Sequence, residues 1–409
     1  MRVALLGYRS NPYSGGQGVY LRYIARALRD QGHAVSVISG QPYPELDAGI
    51  ELIKLPSLNL FQHAVPAHGW HAGILRSWTD TLEYLSVLTG GFPEPYTFGR
   101  RVARYLHANR HAFDVIHDNQ SLSWGILELQ NLGIPVVTTI HHPITFDRDI
   151  ALANCDDWRL RLLIRRWHAF LRMQAKVAKR LKCIITVSER SKADISAAFG
   201  VAAGRITVVH NGVDTQVFNP AGRCPDASRI ISTASADQPL KGSQHLLRAF
   251  ARTLESHRDL RLTFVGKPKP GGDTEALIAQ LGIRQHIDFV HDLKVEDIAA
   301  LYAQAAIAVV PSEYEGFGLP AVEAMACGVP VIASDGGALP EVVGNAGIIV
   351  PRGDVDALNR AMCRVLDDEE KRKEMSELGT RRVASCFTWD RAAASLEEIY
   401  MKLLSEAST

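Results

Sequence analysis

The sequence predicts an α/β protein of two Rossmann-like, doubly wound domains facing each other across a cleft. Three observations carry this expectation. The 409 residues exceed what one ordinary core holds, at roughly 100 to 200 residues per domain. Short apolar segments alternate with longer amphipathic ones, as a parallel sheet covered by helices on both faces requires. The alternation breaks off at a turn-rich stretch near the middle of the chain and then restarts.

Residues 2–6 form the first expected strand and 18–31 the first helix, followed by strands at 34–39, 115–117, 136–140 and 183–187. The stretch 206–233 carries His210-Asn211-Gly212-Val213-Asp214 and a run from Pro220 to Pro225, and reads as a linker. Beyond it, strands are expected at 230–234, 260–265, 287–290, 307–310 and 329–333. The expected domains span 1–205 and 206–388, with a helix over 389–409 packing back toward the first.

Composition narrows the class. With 46% hydrophobic and 22% charged residues the chain suits a globular fold, and disorder or a collagen-like repeat does not fit. No apolar run approaches the roughly 18 residues of a membrane span. The start, Met1-Arg2-Val3-Ala4-Leu5-Leu6-Gly7, reads as a strand and lacks signal-peptide features, so a cytoplasmic location is expected. Six scattered cysteines show no metal-like spacing and are expected to be thiols. The net charge of +1 conceals a split: 23 basic against 16 acidic residues over 1–200 (+7), and 22 against 28 over 201–409 (−6).

Two motifs could carry chemistry. Gly15-Gly16-Gln17-Gly18 opens the first helix, where glycines and unpaired N–H groups admit an anion. The spacing is neither G-x-G-x-x-G nor a P-loop, so a plain turn and a phosphate contact both stay open, and a Rossmann oxidoreductase lacks its fingerprint. The stronger motif runs from Pro311 to Ile332, through the turn Glu315-Gly316-Phe317-Gly318 into a short helix ended by Gly328. Glu315 and Glu323 flank a nest of N–H groups, which suits a ligand with a diphosphate and sugar hydroxyls; a helix capped by acids is the bland alternative.

This segment resembles the E-x7-E signature of family 4 retaining glycosyltransferases, whose architecture is the two-Rossmann GT-B fold, and the likeness extends along nearly the whole chain. Asn211-Gly212-Val213-Asp214 is similar to the interdomain turn of that family, Lys241-Gly242 to its K-G pair and Phe264-Val265-Gly266 to its V-G strand end. The loop from Asp335-Gly336-Gly337 to Pro340-Glu341 matches G-G-x-P-E with one extra residue.

The resemblance implies a retaining transfer of a hexose from a UDP- or GDP-linked donor to a hydroxyl acceptor, whether glycolipid, polysaccharide precursor or small molecule. It places Glu323 on the ribose and Glu315 by the hexose. The N–H groups of Phe317, Gly318 and Leu319 face the diphosphate and sugar, Lys241 faces the phosphates, and Gly16 closes from the other domain. Gly266 belongs to the donor site, and His141, the first histidine after the strand 136–140, contacts the sugar. Catalytic roles fall to Glu315, Lys241 and His141. An arginine usual in the family is replaced by Ser235 or Ala236, so either Lys267 supplies the second cation or donor binding is weak or different. No metal or other cofactor is expected, although His141-His142 with Asp147-Arg148-Asp149 has the look of a ligand set. A noncatalytic nucleotide-sugar or glycan binder on the same fold is the alternative.

Residues 158–182 hold nine basic side chains and no acidic one, with apolar residues at helical spacing. A basic amphipathic helix suits an anionic membrane surface, and a helix packed on the sheet with arginines in solvent suits the same pattern. A peripheral position on the cytoplasmic face of a membrane follows from the first. Acceptor contacts are expected from the irregular stretch Pro56–Pro95 with His63, His68 and His71. No nucleic-acid partner is expected.

Overall fold

The computed structural model describes residues 1–11, 16–62, 69, 71–153, 155–233 and 237–407. Contact density divides the chain into two compact units: Met1–Val187 with Ser191–Val209 and the stretch from Ala392 onward, and Ser188–Arg190 with His210–Arg391.

The first unit is a seven-stranded sheet of β1 (Arg2–Gly7), β2 (Ala34–Ser39), β3 (Glu51–Lys54), β4 (Val115–Asn119), β5 (Val136–Ile140), β6 (Cys183–Thr186) and β7 (Ile206–Val208). Its order is β3-β2-β1-β4-β5-β6-β7, with every neighbouring pair parallel. The order reverses between β1 and β4, and ligands of such sheets bind beyond the carboxyl ends at that switch point. All residues of β4 and β5 are buried, as central parallel strands covered on both faces must be.

The second unit repeats the plan with six strands: β8 (Asp226–Ser232), β9 (Arg261–Val265), β10 (Ile287–Val290), β11 (Ala305–Val310), β12 (Val331–Ser334) and β13 (Gly347–Val350). The order β10-β9-β8-β11-β12-β13 is again all parallel, with its switch point between β8 and β11. The run Ala-Ala-Ile-Ala-Val-Val makes β11 wholly buried. Its alanines leave room for helices on both faces.

Two features differ from the sequence reading. Ile206–Val208, expected to open the linker, hydrogen-bonds to β6 as the last strand of the first sheet, so the second unit resumes at His210. A three-residue strand carries too little periodicity to show which sheet will claim it. The basic segment is also not one helix. It comprises a helix Trp158–Trp167 with no buried residue, a 3-10 turn His168–Phe170, and a helix Leu171–Ala178 that buries Leu171, Met173, Gln174, Val177 and Ala178.

The C-terminal helix Trp389–Ala407 enters the first unit from Ala392. There Tyr400 is fully buried, its hydroxyl 2.5 Å from Nδ1 of His117 on β4. Within the second unit, Val213 of the Asn-Gly-Val-Asp turn bridges Thr388 and donates its N–H to Phe387. A Cβ on Gly212 would lie 2.2 Å from the Trp389 nitrogen, so only glycine admits this contact.

Candidate active site

In the second unit the Pro311–Ile332 motif starts where β11 leaves the sheet. Oε1 of Glu315 accepts from Lys241 Nζ at 2.7 Å and from Ser312 Oγ at 2.8 Å. Lys241 ends a 3-10 turn, and Gly242 after it has φ +64°, where a Cβ would stand 2.0 Å from the Pro311 carbonyl. The K-G pair is therefore a steric requirement: glycine lets the backbone lie against the end of β11 with the ammonium reaching Glu315.

The glycine pair of the next loop acts on the same residues. Gly337 has φ +64°, and Cβ atoms at Gly336 and Gly337 would each stand 2.1 Å from the carbonyls of Ser312 and Glu315 respectively. Ala338 donates its N–H to the Glu315 carbonyl at 2.9 Å. Glu341 closes the loop by accepting from His210 Nε2 at 2.9 Å and from the N–H groups of Glu189 and Arg190 at 3.0 and 3.3 Å. Burial alone would raise its carboxyl, but these bonds hold it below the ordinary range.

Gly318 takes φ +102° and starts the helix Leu319–Ala326. The N–H groups of Phe317, Gly318 and Leu319 have no acceptor among the described residues. The Phe317 ring is buried against His210 and Phe387, so its backbone is what the residue offers outward. Unpaired N–H groups at a helix start favour an anion. One turn further on, Glu323 is partly buried and neither of its oxygens has a partner among the described residues. Burial pushes its carboxyl up to about 7. Three N–H groups and a carboxylate, none of them partnered among the described residues, thus lie on one turn-helix segment.

Gly266 ends β9 and donates its N–H to the Val290 carbonyl at 2.8 Å. Lys267 is exposed and lines a cleft of about 380 Å³ with Glu275, Arg284, Phe289 and His291; it makes no ion pair with Glu315. Ser235 and Ala236 lie outside the described residues.

In the first unit, Gly18 is sterically required, because its Cβ would fall 2.0 Å from the Asn11 carbonyl, whereas a Cβ on Gly16 would meet nothing within 4 Å. His141 follows β5 at the switch-point side of the sheet. Its ring stands edge-on to Tyr20 at 4.8 Å, and its Nε2 lies 2.7 Å from Asn119 Oδ1. Burial, with His142 and His117 nearby, pushes it down to about 3, so the ring is neutral.

The ligand-like string after it is engaged within the protein. His142 faces Asp147 at 3.4 Å, while Arg148 bonds Asp149. Asp147 and Asp149 sit two apart on the helix Thr145–Ala153, a spacing that turns them to different faces. Among the described residues no group of three or more His, Cys, Asp or Glu side chains could hold a metal ion. Of the acceptor-loop histidines, His71 precedes the 3-10 turn Ala72–Arg76, and His63 and His68 lie outside the described residues.

The sequence reading passed over Asn119 and Gln120. Asn119 ends β4, the strand beside β1, and Gln120 follows it; that position at the switch point was the available signal.

Two units, each a parallel sheet with a switch point, are the plan of the GT-B glycosyltransferase fold, and known proteins agree with it. Residues 14–217 match the model for glycosyltransferase family 4, and residues 217–382 that for glycosyl transferases group 1. The chain belongs to the group 1/family 4 glycosyltransferases. Among curated relatives, an MMP alpha-(1->4)-mannosyltransferase of Mycolicibacterium hassiacum is 46% identical over the full length of both chains. A D-inositol 3-phosphate glycosyltransferase of Kribbella flavida is 27% identical over 98% of this chain and 95% of its own. Among solved structures, sucrose-phosphate synthase from Thermosynechococcus elongatus has a TM-score of 0.75 at 22% identity, over 99% of this chain and 100% of its own. Anabaena HepE in complex with UDP and glucose has a TM-score of 0.70 at 19% identity, over 98% and 99%.

Proposed function

We propose that the protein is a retaining mannosyltransferase that moves the hexose of a nucleoside-diphosphate sugar, GDP- or UDP-linked, onto a sugar hydroxyl in α-(1→4) linkage. The observation that carries the reading is the segment 315–323, which offers three N–H groups and a Glu323 carboxylate without partners among the described residues, and a Glu315 paired with Lys241. The sugar and linkage rest on the mannosyltransferase with 46% identity.

In this reading Glu323 accepts two ribose hydroxyls and the N–H groups of Phe317, Gly318 and Leu319 meet the diphosphate. Within the second unit Gly266 and Lys267 complete the donor site. As the acceptor oxygen bonds C1, the bond from C1 to the phosphate oxygen breaks, and its electron pair leaves with the diphosphate. That oxygen takes the acceptor proton on the same face, so configuration is retained. Lys241 neutralises the charge that grows there and Glu315 holds the ammonium in place. No metal is required.

The test is a screen of nucleotide sugars for transfer to mannosides, with the anomeric configuration of the product read by NMR. Binding without transfer or donor hydrolysis would leave a noncatalytic binder, and an inverted product would remove retention.

The acceptor side carries a second observation. Of the twelve large hydrophobics exposed among the described residues, nine lie in the first unit on three elements: Leu75 on the 3-10 turn Ala72–Arg76, Trp78, Leu85 and Leu88 on the helix Trp78–Leu88, and Trp158, Leu160, Leu162, Leu163 and Trp167 on the helix Trp158–Trp167. The two helices are joined by Arg166, which donates to Ser86 and Thr89. An apolar patch of this kind marks an interaction surface. Arg161 and Arg166 turn inward onto protein oxygens, and the other seven basic residues of 158–182 are exposed. Exposed tryptophans among unopposed cations suit an anionic lipid surface, and peripheral attachment there completes the reading. Among the described residues no helix is long and apolar enough to cross a membrane.

A further inference from the structure

His141 sits in a clamp of two amides, and the clamp decides which ring nitrogen carries the proton. The backbone N–H of His141 donates to Gln120 Oε1 at 2.8 Å, and Gln120 Nε2 donates to the His142 carbonyl at 2.9 Å, so Gln120 grips the chain on both sides of the ring. Asn119 grips the ring itself, with Oδ1 at 2.7 Å from Nε2. An asparagine amide can usually be turned either way, but here its other end lies 3.2 Å from the carbonyl oxygen of Gln17. A carbonyl only accepts, so the NH₂ end of Asn119 faces Gln17 and its oxygen faces His141. Nε2 must then be the donor. The ring is neutral, so its single proton lies on Nε2 and Nδ1 keeps a lone pair with no partner among the described residues.

The clamp is itself rigid. Asn119 and Gln120 are buried, and the Asp118 carboxylate accepts from Ser121 Oγ and from the N–H groups of Ser121 and Leu122. Gln174, also buried, donates to the carbonyls of Gln120 and Ser121. Gln120 and Leu122 are held at φ +59° and +49°, conformations that side-chain-bearing residues keep only when their surroundings impose them. Gln17 is the second residue of the first helix, Gly16–Asp30, so Asn119 joins the start of that helix to the histidine.

We propose that Asn119 and Gln120 are positioning residues that present His141 as a hydrogen-bond acceptor, proton on Nε2 and lone pair on Nδ1, to a hydroxyl of a sugar bound at the switch point of the first sheet. The tautomer follows from the structure alone; its use on a sugar rests on the function proposed above.

The experiment is a long-range ¹H–¹⁵N correlation spectrum of the imidazole rings in the full chain, with His141 identified by the signals lost in His141→Phe. Wild type is expected to show His141 protonated at Nε2 alone, a readout that needs neither activity nor a folded variant at position 119. In Asn119→Ala the fixed tautomer is expected to give way to a mixture. Sugar transfer should fall about tenfold, as expected for one lost hydrogen bond, while affinity for the nucleoside diphosphate holds. Asn119→Asp, which keeps an acceptor on Nε2, should restore the tautomer. A wild-type proton on Nδ1 would overturn the proposal, as would an Asn119→Ala protein with unchanged transfer or with nucleotide affinity lost in parallel. If no nucleotide sugar is turned over at all, the spectrum still decides the tautomer, and only the functional reading fails.

Discussion

Replacing Glu323 with glutamine should make the unliganded protein more stable and its donor binding weaker. The carboxyl is raised from 4.5 to about 7 by burial, a difference of about 2.5 pH units, which at about 1.4 kcal/mol each sets a ceiling of about 3 kcal/mol. The side chain keeps some contact with solvent, so about 1–2 kcal/mol is the reasonable expectation. The sign follows from proton linkage. The folded state binds the proton more tightly than the unfolded chain, so this group's contribution is most favourable below its unfolded pKa and is lost as pH rises through about 7. Glutamine carries no charge to desolvate, so its gain over wild type should be near zero at about pH 4.5 and fully present at about pH 8. Binding runs the other way. A ribose loses charge-assisted hydrogen bonds of about 1.5–3 kcal/mol, which is about 10- to 100-fold in affinity. Denaturant unfolding at the two pH values and calorimetry with GDP and UDP measure both. A stability difference that ignores pH would refute the desolvation argument, and unchanged nucleotide affinity would take Glu323 out of the site.

Three other outcomes are expected. Lys241→Ala should lower turnover more than donor affinity, because its charge is needed most when the diphosphate leaves; wild-type turnover would show another cation in that role, and adding Lys267→Ala would test that residue. EDTA should leave transfer intact, and loss restored by magnesium or manganese would overturn the metal-independent reading. The protein should sediment with anionic but not neutral vesicles at low salt, each basic residue near the surface contributing about 1 kcal/mol, and Arg159, Arg165 and Arg172→Gln should abolish this; failure to sediment would leave the Trp158–Trp167 surface to another partner.

Much of this protein is written locally. The alternation of strands and helices, the turns at Lys241-Gly242 and Gly336-Gly337, and the two glutamates eight apart are readable because each depends on neighbours a few residues away. Even so, spacing shows only that Glu315 and Glu323 are near a helix start. That Glu315 pairs with Lys241, 74 residues upstream, while Glu323 has no partner among the described residues, depends on β8 and β11 lying side by side in the sheet. The assignment of Ile206–Val208 to the first sheet, the division of 158–178 into an exposed and a packed helix, and the inward turn of Arg161 and Arg166 are likewise set by which surface each segment meets. The amide clamp is the plainest case. Asn119 and Gln120 are ordinary polar residues in sequence, and they become His141's partners because β4 and β5 end together at the switch point. Hydrogen bonds between residues distant in sequence have no period and no local composition, so only the packed sheet decides them.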